Sequence, residues 1–169
     1  KTAAAIREAK EASLYHGSPT GDLKSIDPKP SRVLGGAEGV FATPDKAIAL
    51  SFAQPWRDSD FEQGSVNGQL YMREQSPGAF DKVYGNKPGF LYEMPEEGFD
   101  SDLRLARFER LSSKSVSPTK VKRIKNILAA LRKTKLLMLR HGEQAPWEKE
   151  AAAAPGMAPT FDPAKRYSP

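Results

Sequence analysis

His16, Phe41, Ser51 and Glu109 are the side chains whose types and settings could carry chemistry in this chain. His16 sits near the end of a short apolar run, LYHGS, followed at once by Gly17 and the hydroxyl of Ser18. An imidazole fixed at a strand end offers a donor and an acceptor nitrogen. A glycine beside it lacks Cβ, so a ligand can approach the backbone. Phe41 stands in a second run, GVFAT, about two dozen residues later, and offers an aromatic face for stacking. Glu109 opens the Ser/Val-rich run ERLSSKSVSP. A fixed carboxylate there could stabilise positive charge developing in a transition state. Each residue also has a plainer reading. A strand-end His bonds a local carbonyl, a Phe in such a run packs in a core, a Ser within a helix faces solvent, and a lone Glu is solvated.

Other patterns offer less. GGAEG is neither a dinucleotide fingerprint nor a P-loop. Glu96-Glu97 and Asp58/Asp60 fall in polar loops and read as solvated acids. Cys is absent, which excludes disulfides, thiol nucleophiles and thiolate metal sites. His16 and His141 are the two histidines, so a His-rich metal site is excluded as well.

The elements that must position these residues read as short strands with few helices. Ser13–Gly17 and Gly39–Ala42 are strand-like, Gln69–Arg73 is a strand candidate, and GFLYEM at Gly89–Met94 is a clear one. Thr43-Pro44-Asp45 reads as a helix start with Thr43 as N-cap, the helix running to about Ala53 before Pro55. Trp56–Gly68 is polar and reads as a loop. Phe108–Leu111 begins another strand. Ser117–Arg140 reads as an amphipathic helix, or a short strand leading into one, with Asn126–Arg140 helical and Gly142 as its stop. The expected fold class is α+β, built on antiparallel sheets.

The chain has 169 residues, of which 38% are hydrophobic, which predicts one modest core with long loops. The boundaries expected are a helical lead-in over residues 1–12, one domain over 13–142, and an extended Pro/Ala-rich tail over 143–169. No stretch of about eighteen apolar residues spans a membrane, and no signal peptide is read, so a cytoplasmic or virion-associated location is expected. Ten of the 26 basic residues and none of the 21 acidic ones lie between Arg110 and His141, leaving the rest of the chain at net −5. The basicity is therefore local. Lys122, Arg123, Lys125, Arg132, Lys133 and Lys135 are either a solvated face or a docking site for an anionic partner. No aromatic residue interleaves them, so nucleic-acid binding there would be blind to sequence.

The ordered set of LYHGS, GVFAT and ERLSSKSVSP, over about Leu14–Ile124, resembles the ADP-ribosyltransferase superfamily, in particular its His-Tyr-Glu branch of diphtheria-toxin-like and poly(ADP-ribose) polymerase-like enzymes. The resemblance implies a split β core with the nicotinamide cleft between two small sheets. It implies NAD as substrate, with no metal. His16 would bond a ribose hydroxyl of the adenosine half, and Gly17 would present its backbone to the carboxamide, with Ser18 adding a hydrogen bond. Phe41 would stack on nicotinamide, and Ser51 would contact its amide. Glu109 would be the catalytic anion, accepting from the 2′-hydroxyl of the nicotinamide ribose. Two departures stand out. Phe41 takes the place of the family's Tyr, and Arg107 stands where the Arg-specific branch has the first Glu of its Glu-x-Glu.

The expected activity is transfer of ADP-ribose, one unit at a time, to an unidentified protein or nucleic-acid acceptor. Two other readings stand beside it. One is the same fold retained as a non-catalytic structural or docking unit of a larger assembly, such as a virion or secretion complex. The other is a basic nucleic-acid binder acting through Arg110–Arg140.

Overall fold

A computed structural model describes residues 14–30, 38–100 and 109–153. The expected lead-in at 1–12 and the position of Arg107 lie outside these residues. In chain order the elements are β1 (Leu14–Ser18), β2 (Lys29–Pro30), β3 (Glu38–Ala42), α1 (Lys46–Ser51), β4 (Phe61–Val66), β5 (Gln69–Glu74), α2 (Ala79–Tyr84), β6 (Gly89–Met94), β7 (Arg110–Ser112), β8 (Lys120–Ile124), α3 (Ile127–Arg132), β9 (Leu137–Leu139) and α4 (Pro146–Ala153). The class is α+β. Two sheets are antiparallel, ordered β1-β6-β8 and β2-β3-β7, while a third, β4-β5-β9, gains a parallel strand in β9.

The first two sheets meet at one point. Tyr15 and Thr43 exchange backbone hydrogen bonds of 2.7 and 2.9 Å as an isolated bridge. A shared core backs the junction: Leu14, Tyr92 and Met94 from one sheet pack with Val40 and Ala42 from the other, together with Ile26 and Val116. A second core lies among α1, α2, α3 and β4–β5, with Phe61, Met72, Tyr84, Ile127 and Leu131 fully buried.

Several expectations are corrected. The α1 N-cap is Asp45, whose carboxylate accepts from the amides of Ala47 (2.8 Å) and Ile48 (3.2 Å). Thr43 is instead held in the extended bridge, and its hydroxyl accepts from the Asp45 amide. The expected loop Trp56–Gly68 contains β4, which returns into β5 through Asn67-Gly68. Both turn residues have positive φ, 49° and 81°, the pairing a tight hairpin requires.

The expected helix over Asn126–Arg140 stops at Arg132. The Thr134 hydroxyl donates to the Leu131 carbonyl (2.7 Å) and accepts from the Leu136 amide, diverting the chain into β9 beside β5. Of the tail expected to be extended over 143–169, the described part holds α4 as far as Ala153, and residues 154–169 lie outside the described residues. Trp147 tilts against Tyr71 at 5.3 Å between ring centroids, Ala145 is buried, and Glu148 pairs with Arg73. Among the described residues no helix is long and apolar enough to cross a membrane.

Candidate functional site

The site grows from the end of β1. Strand alternation sets Leu14, His16 and Ser18 on one face of β1 and Tyr15 and Gly17 on the other. Gly17 lies directly beneath α1, where an added Cβ would fall 1.8 Å from the Ala49 carbonyl oxygen. The glycine is therefore required by the approach of helix backbone to strand, whatever else its backbone does. Lys46 also lies over the Tyr15 ring, 5.1 Å from its centroid, on this helix-covered side.

Beyond the Tyr15–Thr43 bridge, β1 and β3 make no further ladder pairs, and the His16 ring spans the gap. Its Nδ1 lies 2.7 Å from the Phe41 carbonyl oxygen. A carbonyl can only accept, so Nδ1 carries the proton in this contact. Burial holds the imidazole pKa below its usual 6.5; the Phe41 hydrogen bond opposes that shift and the positive charge of Lys29 reinforces it. A neutral ring with its proton on Nδ1 leaves Nε2 as an acceptor. Such a nitrogen can receive a hydroxyl proton from a sugar but cannot donate to a phosphate oxygen.

Tyr92 supports this corner, a role the alternation of its strand did not single out. It pairs with His16 across β1 and β6, their rings 6.5 Å apart. Its hydroxyl donates to the Thr20 carbonyl (2.6 Å) and accepts from the Leu23 amide (3.3 Å), tying the segment after Ser18 to the sheet. Ser18 is buried, and its hydroxyl accepts from the Thr20 amide at 3.1 Å.

Phe41 is half-buried and pairs with Leu111 of β7. Val40, Phe41 and Ala42 pair with Ser112, Leu111 and Arg110, so continuing that register by one residue sets Glu109 opposite Thr43. Glu109 is half-buried just before β7, and its carbonyl accepts from Arg110 Nη1 at 3.0 Å. The strands bearing His16 and Phe41 thus lie beside β7 in the order β1, β3, β7, with Glu109 immediately before β7.

Ser51 does not face solvent, as its mid-helix position had implied. It is fully buried; its hydroxyl donates to the Ile48 carbonyl (2.6 Å) and accepts from Gln63 Nε2 (2.9 Å). Its carbonyl accepts from Trp56 Nε1 (2.8 Å) and from the Tyr84 hydroxyl (2.6 Å). Burial and the charge of Asp60 raise the Tyr84 pKa well above its usual 10.0, so the phenol stays a donor. Ser51 is thus the hub of a polar network in the helical core.

A cavity of about 540 Å³ opens beside β7, lined by Asp100, Ser112, Lys114 and Val116 among others. Another, of about 460 Å³, lies between α2 and the ends of α3 and β9. His16 lines neither.

The basic residues are redistributed. Lys122 and Arg123 lie on β8, Lys125 just after it, Arg132 at the end of α3, and Lys133 and Lys135 in the turn before β9, all exposed. Compared with known proteins, the chain matches no family model, no curated protein and no solved structure.

Proposed function

We propose that this domain binds NAD and transfers ADP-ribose, one unit at a time, to an acceptor, in the manner of the ADP-ribosyltransferases that its motifs resemble. The observation that carries the reading is the bond from His16 Nδ1 to the Phe41 carbonyl across the split between β1 and β3, with β7 and Glu109 on the far side of β3. Residues far apart in sequence lie on or next to adjoining strands, His16 on the face of Leu14, and Phe41 and Glu109 on the face of Tyr15 and Thr43. On this reading His16 Nε2 accepts a ribose hydroxyl and Phe41 supplies a stacking face.

Glu109 accepts the 2′-hydroxyl of the nicotinamide ribose. The bond between ribose C1′ and the nicotinamide nitrogen breaks, and nicotinamide leaves with the electron pair. The positive charge left on the ribose is stabilised by the Glu109 carboxylate more than the ground state is. The acceptor's nucleophilic atom then bonds to C1′ and releases its proton to solvent.

Glu109→Gln tests this directly. Calorimetry should find NAD binding retained, while nicotinamide release falls about a hundredfold or more, the scale of losing one preorganised stabilising group. Equal release by wild type and variant would make Glu109 a bystander.

A second reading, a non-catalytic docking or structural module, is favoured by specific observations. Gly17 is already accounted for by helix contact and Ser51 by its buried network, and Phe41 lacks the hydroxyl of a Tyr. Wild type giving neither heat with NAD nor nicotinamide release would select that reading.

A further inference from the structure

We propose that the outer edge of β8 receives an extended acidic polypeptide segment, which adds to the β1-β6-β8 sheet as one more strand. The inference is independent of NAD. β8 is the terminal strand of its sheet, and among the described residues no strand pairs with its outer edge. Residues Lys120–Arg123 are exposed, and only Ile124 is partly covered. Val121, 43% exposed, is the large hydrophobic side chain left in solvent among the described residues.

The charges on β8 itself are all of one sign, and the acid nearest in register is Glu93 of β6, opposite Lys120. Lys120, Lys122, Arg123 and Lys125 fall within six consecutive residues, with no ion pair recorded for them among the described residues. The register with β6 sets Lys122 against Leu91 and Arg123 against Phe90, so the cations project from both faces of the sheet.

That two-sided placement decides the occupant. A nucleic-acid backbone laid on one face would reach only half of these cations, and there is no aromatic residue for base stacking. An added peptide strand alternates its own side chains between the two faces and meets both sets. It also satisfies the edge's donors and acceptors together, whereas phosphates only accept. Lysines on an edge strand discourage indiscriminate pairing between sheets. A strand carrying carboxylates is the partner such a guard admits, because attraction replaces repulsion.

The test uses a blocked synthetic peptide alternating Glu and Thr. Its controls are the same peptide N-methylated at alternate residues and a single-stranded oligonucleotide of equal charge. Hydrogen exchange should show slowed amides confined to Lys120–Ile124 on peptide binding. Affinity should fall as salt shortens the screening length to about 8 Å at physiological ionic strength. N-methylation, which keeps charge but removes strand donors, should weaken binding about tenfold. The double variant Lys122→Glu and Arg123→Glu, at exposed positions, should fold normally and lose binding. Equal binding of the N-methylated peptide, tighter binding of the oligonucleotide, or no binding at low salt would each overturn the proposal.

Discussion

At His16 the surrounding protein chooses both tautomer and charge. The folded-state pKa lies below the unfolded value near 6.5, so between the two the unfolded chain binds more protons. Stability should therefore fall as pH drops through 6.5 and level off below the folded value. His16→Asn keeps a donor toward the Phe41 carbonyl but does not titrate. Urea unfolding at about pH 8 and about pH 5 should show wild type losing more stability than this variant, against the same background of carboxylates. Parallel losses would mean that His16 is not held neutral. Gly17 gives a sharper prediction. Its missing Cβ would stand 1.8 Å from the Ala49 carbonyl, and backbone cannot swing aside as a side chain can. Gly17→Ala should cost about 3 kcal/mol or more by denaturation, whether or not NAD binds. The HGS triplet is legible in the sequence, but the helix that imposes its glycine is not. Nothing local to Gly17 announces that Ala49 will arrive there.

At the scale of elements, two segments depart from their local patterns, each for its own reason. β4 reads as a polar loop because Gln63 and Ser65 occupy buried positions, so alternation of apolar and polar residues fails. The usable signal was the Asn67-Gly68 turn, whose positive φ angles suit a hairpin. The long helix expected over Asn126–Arg140 fails for a different reason. Leu136–Leu139 can satisfy either helix or strand, and the open edge of β5 selected strand. Ser51→Ala tests the buried network between these elements. Removing its hydroxyl leaves Gln63 Nε2 without an acceptor in the core, which should cost about 1–3 kcal/mol in thermal or urea unfolding. A neutral result would show that Gln63 finds another partner. Trp147→Ala should detach α4 from Tyr71, raising hydrogen exchange in α4 and β9 while β1 and β6 stay protected.

For the whole molecule, the junction between the sheets is thin in hydrogen bonds and thick in apolar contact. Two backbone bonds join Tyr15 to Thr43, yet Met94 and Tyr92 pack against Val40 and Ala42 beneath them. The sheets should therefore unfold as one unit. Met94→Ala, at a fully buried position, should cost about 2–5 kcal/mol. It should also lower amide protection in β3 as much as in β1. Loss confined to β1 and β6 would show that the second sheet stands alone.

The sequence by itself determined the α+β class, the short strands carrying His16 and Phe41, a strand next to Glu109 that begins at Arg110 rather than at Phe108, and the concentration of positive charge after it. These follow from local patterning and composition, which act within a few residues. The tertiary structure decided the rest. It set β1, β3 and β7 in one row, turned His16 toward the Phe41 carbonyl, withdrew Ser51 into the core and laid Lys122 and Arg123 on opposite faces of an edge strand. Strand order and register depend on which distant segments can bury apolar area together, and that choice is made by the whole chain at once.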